Sequence, residues 1–315
     1  MRAIPLFMLL LGGWCAIPAH ADEAQDWLNR LSQAEQQQSF QGTFVYERNG
    51  SFSTHNIWHR VQDGKVRERL LQLDGSAQEV LRIDGHTQCV SGSLIAGLGN
   101  TPDGTSRTLD PQKLKNWYDL AVIGKSRVAG RQAVIVALTP KDQHRYGFEL
   151  HLDKETGLPL KSLLLNDKGQ LLERFQFTRL NVAAPTDGDL QASAECKAVA
   201  QDPAKVVAVK AAWHSDWLPP GFELSSSVVR KDPDTQVQVN SLMYDDGLAR
   251  FSVFLEPLNG ANATDTRTQL GPTAAVSRRL TTPQGEMMVT VVGEIPIGTA
   301  ERIALSMRSD VTATQ

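Results

Sequence analysis

His55 and His59 are the first residues whose spacing could do chemistry, because an i, i+4 histidine pair on a helix can hold zinc. Both stand in an alternating run behind the hairpin signal Asn49-Gly50, so the spacing is read on a strand. Four strand residues span about 13 Å at roughly 3.3 Å each, too far for two imidazoles to grip one zinc. Gly124-Lys125-Ser126 matches the end of a phosphate-binding loop, but the glycine that motif needs five positions earlier is Asp119. A turn between strands is the better reading. There is no Gly-x-Ser-x-Gly elbow, and the cysteines Cys15, Cys89 and Cys196 form no Cys-x-x-Cys pair. Acidic pairs such as Asp245-Asp246 sit at turn signals, where turn chemistry accounts for them. The residues therefore call for no metal, no cofactor and no catalytic centre.

Compartment is read from the start of the chain. Met1-Arg2 is followed by an apolar run over 4–11, broken only by Pro5, and then by Ala19-His20-Ala21. That order predicts a cleaved signal peptide over 1–21, with Asp22 as the first mature residue. Trp14 before Cys15 is the wrong residue for a lipoprotein signal. The mature chain then keeps Cys89 and Cys196, which an oxidising compartment could join or which could remain as two buried thiols. A net charge of −3 argues against nucleic acid as a partner.

The elements that position these residues are mostly strands. Ala24, Trp27, Leu28, Leu31 and Ala34 fall on one helical stripe, which predicts a helix over 22–39 capped by Asp22. From Phe40 the pattern alternates, with Phe40, Gly42, Phe44 and Tyr46 on one face. Asn49-Gly50, Asp63-Gly64, Asp74-Gly75 and Asp84-Gly85 then punctuate an antiparallel meander. Residues 92–110 are glycine-rich and read as a loop. Strands are expected again over 118–123, 133–139, 145–152, 158–165 and 170–180. A stretch rich in Ala, Asp and Lys follows, which sets a signal peptide (1–21), a large domain (22–185), a linker (186–212) and a small domain (213–315). In the last, strands are expected over 236–244, 248–256, 274–280 and 286–293, with a final helix capped by Thr299. The fold class is α+β, mostly antiparallel β.

Tyr146, Phe148, Leu150 and Leu152 share one strand face, and Leu171, Phe175 and Phe177 another. A curved sheet must fill its concave side, with helices or with a ligand bearing apolar chains. On the second reading Phe44, Tyr46, Trp117, Tyr118, Phe148 and Phe175 line a lipid cleft; on the first they are ordinary core. Arg230, Arg278 and Arg279 stand in basic pairs that could meet an acidic peptide, or that simply stay solvated or guard a sheet edge.

Several segments carry a family likeness. They are Ser39-Phe40-Gln41-Gly42-Thr43-Phe44-Val45-Tyr46-Glu47-Arg48, Arg145-Tyr146-Gly147-Phe148-Glu149-Leu150 and Thr156-Gly157-Leu158-Pro159-Leu160 in the first part. Trp217-Leu218-Pro219-Pro220-Gly221-Phe222 and Asp246-Gly247-Leu248-Ala249-Arg250-Phe251 continue it in the second. Together they resemble the MucB/RseB family in the same order along nearly the whole mature chain. The resemblance implies a large LolA-like unclosed β-barrel with covering helices and a small α+β domain packed on it. It implies a periplasmic protein without catalytic residues that binds the periplasmic domain of a transmembrane anti-sigma factor (MucA/RseA-like). Bound there, it would shield that factor from site-1 proteolysis, and lipopolysaccharide or another lipid would release it. The sigma factor so held inactive governs envelope stress and alginate production. A periplasmic lipid or lipoprotein carrier is the rival reading. Oligomeric state stays open, a homo-oligomer included.

Overall fold

Asn49-Gly50, Asp63-Gly64, Asp84-Gly85 and Ala129-Gly130 each place two consecutive residues at positive φ. That is the geometry of the type I′ turn, whose twist suits antiparallel neighbours, and each of these turns closes a hairpin. The computed structural model describes residues 19–92, 109–199, 212–231, 237–283 and 285–310. The leader over 1–18, most of the glycine-rich loop (93–108) and residues 200–211 of the expected linker lie outside the described residues.

The chain opens with α1 (Ala19–Gln37), then β1 (Phe40–Arg48), β2 (Ser51–Gln62), β3 (Lys65–Gln72), β4 (Glu79–Ile83) and β5 (His86–Val90). The one-turn α2 (Pro111–Leu114) leads into β6 (Tyr118–Val128), β7 (Arg131–Pro140), β8 (Gly147–Asp153), β9 (Pro159–Leu165), β10 (Leu171–Asn181) and the short β11 (Lys197–Ala198). These strands form one 11-stranded antiparallel sheet in the order β11-β5-β4-β3-β2-β1-β10-β9-β8-β7-β6. Its terminal strands β11 and β6 are not bonded to each other, so the sheet stays unclosed.

The second part holds β12 (Trp213–Ser215), β13 (Glu223–Lys231), β14 (Gln238–Asp245), β15 (Arg250–Pro257), β16 (Thr266–Leu270), β17 (Thr273–Thr282) and β18 (Gly285–Gly293). It ends with α3 (Ile297–Ser306) and β19 (Met307–Ser309). Six of these strands form a sheet in the order β13-β14-β15-β18-β17-β16, and β12 pairs with β19. The class is thus α+β and mostly antiparallel, as expected.

Each sheet is covered on one face by its helix. The stripe of α1 puts Ala24, Leu28 and Leu31 against Leu114, Tyr118, Leu120, Val136 and Leu138. Fully burying one such leucine contributes roughly 1.5–3 kcal/mol. Further along, Ala34 meets Phe40, Phe44, Leu158 and Phe177. Gly42 makes room in β1 for the Phe177 ring: a Cβ there would lie 2.7 Å from that ring. In the smaller sheet Ala300, Ile303, Ala304 and Met307 close a core with Phe251, Val253, Val289 and Val291. Among the described residues no helix is long and apolar enough to cross a membrane.

Two helix starts differ from expectation. Asp22 lies within the first turn of α1, which already begins at Ala19, so it does not cap. Thr299 is buried inside α3, whose N-cap is Pro296. A threonine three positions into a helix cannot accept from the first free N–H groups, and its hydroxyl turns to His144 instead.

Residues 186–199 are fastened to the edge of the larger sheet. Asp187 pairs with Arg60 at 2.7 Å. The buried carboxylate of Glu79 accepts from the backbone N–H of Ser193 at 3.2 Å and from its hydroxyl. Cys89 and Cys196 are joined as a disulfide, and β11 pairs with β5 beside it.

Candidate functional site

The two sheets meet around Arg145, which stands just before β8. Its guanidinium donates to Asp142 at 2.9 Å, to the Pro220 carbonyl and to Asp246. The side chains of Arg145 and Asp246 are both 0% exposed. Phe222 lies beneath the guanidinium, with the ring centroid 5.1 Å away. The Asp246 carboxyl is pushed up by burial, against the hydrogen bonds it accepts from Leu248, Ala249 and Arg145. Asp246 was read from sequence as a turn residue; it holds its turn and also anchors the large sheet.

Other contacts extend the junction. Tyr146 donates to the Ile295 carbonyl at 3.2 Å and accepts from Gln269. Arg48, at the end of β1, donates to Thr273 and pairs with Glu294 at 3.3 Å. His144 meets Thr299 at 3.2 Å and the Trp217 ring edge-on. Gly221 stands at φ +86° directly against the indole of Trp117. Only glycine fits there, because a Cβ would run into the ring and an L-residue disfavours that φ.

Beside this junction a cleft of about 770 Å³ opens between the sheets. One wall is Asn29 of α1 with Leu109, Lys113, Asn116 and Trp117; the other includes Glu223, Ser225, Ser226 and Met243. Its volume falls in the usual range for ligand sites, about 300–1,000 Å³.

The aromatic residues chosen from sequence divide between two places. Phe44, Tyr46 and Phe175 gather on β1 and β10, where Phe44 and Phe175 are 4.7 Å apart by ring centroid. Trp117, Tyr118 and Phe148 belong to the cluster under α1. They do not line one cleft; Trp117 alone of the six borders the cavity between the sheets. Tyr46 and Phe175 are partly buried, packed with Ile57 and Leu70 on the same cluster.

The arginines are placed as follows. Arg278 bonds Glu301 and lies 3.6 Å from Asp265. Arg279 pairs with Glu286 at 3.5 Å and donates to the Ala263 carbonyl. Arg230 lies near the end of edge strand β13. His55 and His59 stack on Phe44 and Phe40 of the neighbouring strand, with centroids 5.1 and 4.8 Å apart. Among the described residues no three metal-binding side chains gather. Ser126, His151 and Glu149 form a hydrogen-bonded chain with contacts of 2.7 and 2.8 Å, but none of them borders the cleft.

Residues 23–195 match the MucB/RseB N-terminal domain, and residues 207–308 match the MucB/RseB C-terminal domain. The chain belongs to the MucB/RseB family. It is 63% identical over 317 residues to the sigma factor AlgU regulatory protein MucB of Pseudomonas aeruginosa, covering 99% of each chain. MucB/RseB proteins are regulators and not enzymes. Among solved members of the family, the chain superposes on the complex structure of Pseudomonas aeruginosa MucA/MucB with a TM-score of 0.82. Identity there is 62%, over 92% of this chain and all of the other. A crystal structure of MucB gives 0.69 at 61% identity, over 91% of this chain and 98% of the other.

Sequence reasoning met Arg145 and Gly221 only inside the family-like segments, without a role, and did not single out Glu223. The signals were present: an arginine inside a strand-like run, and a Pro-Pro-Gly entry to the second part. Their meaning depends on which two segments face each other.

Proposed function

We propose that this chain is a periplasmic regulator that binds the periplasmic part of a MucA-like anti-sigma factor. It shields that factor from site-1 proteolysis and so keeps an AlgU-like sigma factor, and with it alginate production, switched off. The observation that carries this reading is the close superposition on the MucA/MucB complex across both sheets. Identity and coverage hardly differ between the two solved forms, while the fit falls from 0.82 to 0.69. The junction built on Arg145 and Asp246 fixes how the two sheets sit together in this chain. The signal-like leader and the disulfide support a periplasmic location.

Lipid or lipopolysaccharide is the releasing ligand in this reading. Its support is the partly buried group of Tyr46, Ile57, Leu70 and Phe175, apolar side chains that a fatty chain could meet. Lipid and partner favouring different arrangements would oppose each other reciprocally. The test is capture of a purified MucA periplasmic domain by residues 22–315, with and without lipopolysaccharide. Capture that lipopolysaccharide reverses is expected; lipid uptake with no protein capture would turn the reading toward a lipid carrier.

A further inference from the structure

We infer that His144 is a proton switch in the junction between the two sheets: the neutral ring holds the junction shut and the charged ring loosens it, whichever partner the chain binds. His144 stands in the loop between β7 and β8, on the larger sheet. Two contacts of its ring reach across to the second part of the chain. Nδ1 lies 3.2 Å from the hydroxyl of Thr299, a buried residue of α3. The ring meets Trp217 edge-on, with centroids 5.0 Å apart and planes at 74°. Trp217 and α3 are themselves joined, because the Trp217 carbonyl accepts from the Ser306 hydroxyl at 3.2 Å. A neutral imidazole suits this place, with a hydroxyl for one nitrogen and an indole for the ring.

The charges around the ring oppose a further positive one. In its own loop, the Asp142 carboxylate accepts from the His144 backbone N–H at 2.9 Å. It also takes two bonds from Arg145, at 3.1 and 2.9 Å, so its charge is already matched. Lys141 of the same loop turns away, to Asp119 and the Lys115 carbonyl. From α3, Arg302 lies over the Trp217 indole, 3.8 Å from the ring centroid, so that ring already serves one cation. Glu301 is held by Arg278 and Arg267. Beside Trp217, Asp216 is engaged by Arg308 at 2.9 Å and by His214 at 3.2 Å. Each of these carboxylates thus has a cation of its own. Burial holds the His144 ring below its ordinary value of 6.5; Asp142 pulls the other way, and Arg302 and Arg145 add to the lowering.

The closed junction therefore binds fewer protons than an open one. Its stability is full above 6.5 and is lost as pH falls through that value toward the closed-state one. Mild acid reaches this range, where histidine is the side chain that changes charge. His151 and His55 are also held low by burial, but their partners Ser126, Glu149 and Ser53 all belong to the larger sheet. His144 is the one of the three that acts across the junction.

The experiment uses the mature full chain without a partner. Hydrogen exchange over 141–146 and 297–302 is followed at about pH 7.5 and about pH 5.5, corrected for intrinsic rate, in wild type and His144→Gln. Glutamine keeps a polar end for Thr299 and takes no charge. Wild-type exchange in both stretches is expected to quicken several-fold in acid, while His144→Gln holds nearly one rate. Unchanged wild-type exchange overturns the switch. Equal quickening in both chains overturns its assignment to His144. If the variant folds poorly, NMR of the wild type decides. The Trp217 indole resonance is expected to follow the His144 ring as it titrates below 6.5. An indole that stays fixed while the ring titrates overturns the switch.

Discussion

Arg145 and Asp246 meet across the two sheets with neither side chain exposed, one contributed from just before β8 and the other from the turn between β14 and β15. Desolvating two charges is expensive, and their attraction with further hydrogen bonds offsets it. Removing one partner leaves the other buried and unmatched. Asp246→Ala is expected to destabilise the protein by about 3–5 kcal/mol, read by urea unfolding. The double change Arg145→Met with Asp246→Asn should recover part of that loss, because an asparagine still accepts from the Leu248 and Ala249 N–H groups. Equal damage from the single and double variants would show that the pair is not what holds the junction.

Gly221 tests the junction by shape. Gly221→Ala puts a methyl group into the Trp117 indole at a φ of +86°. The backbone strain alone amounts to roughly 1–2 kcal/mol. Tryptophan fluorescence should report an altered Trp117 environment, and partner affinity should fall with it. In a Trp117→Ala background the collision is gone and the φ strain remains, so Gly221→Ala should then do less harm. An equal effect in both backgrounds would assign the whole penalty to the backbone.

The disulfide between Cys89 and Cys196 closes a separation of 107 residues. In the chain-entropy model a loop of that size contributes roughly 4–5 kcal/mol by restricting the unfolded chain. Cys196→Ser should lower the urea midpoint of the larger sheet by a corresponding amount, and reductant should do the same to the wild type. Proteolysis within 186–199 should quicken in both. A variant as stable as wild type would mean that Glu79, Arg60 and the β11–β5 pairing hold this segment unaided.

Acid acts on the same segment through Glu79. Burial pushes its carboxyl up, but hydrogen bonds from Ser193 and Arg69 outweigh burial and hold it below its ordinary value of 4.5. A carboxyl depressed in the folded state adds stability that is present above 4.5 and is lost as pH falls through the folded value. Hydrogen exchange over 186–199 should therefore be slow at neutral pH and speed up, after correction for intrinsic rate, in strongly acidic buffer. Glu79→Gln should exchange quickly at neutral pH and show little further change in acid.

Much of the architecture was legible without coordinates because it rests on local physics. The turns Asn49-Gly50, Asp63-Gly64 and Asp84-Gly85 announce themselves, since few residues tolerate positive φ in succession. The stripe of α1 and the strands from β6 to β10 follow from side-chain period, within a few residues at their ends. Ala129-Gly130 adopts the same turn without the usual residue, so β6 and β7 run longer than their apolar cores suggest. β13 and β16 were missed because serine- and threonine-rich edge strands carry little apolar alternation to read.

Sequence by itself determined the class, the hairpin order and the family likeness, each written in neighbouring residues or in short runs. Tertiary structure alone decided that Cys89 and Cys196 meet, that the six aromatic residues divide between two places, and that Arg278 is taken up by Glu301. It also decided that Arg145, which reads as an ordinary strand residue, finds its counter-charge about a hundred positions away in Asp246. The reason is physical. Turn and period are set by each residue's own backbone and its immediate neighbours, whereas a buried ion pair and a cleft exist only once distant segments exclude water between them.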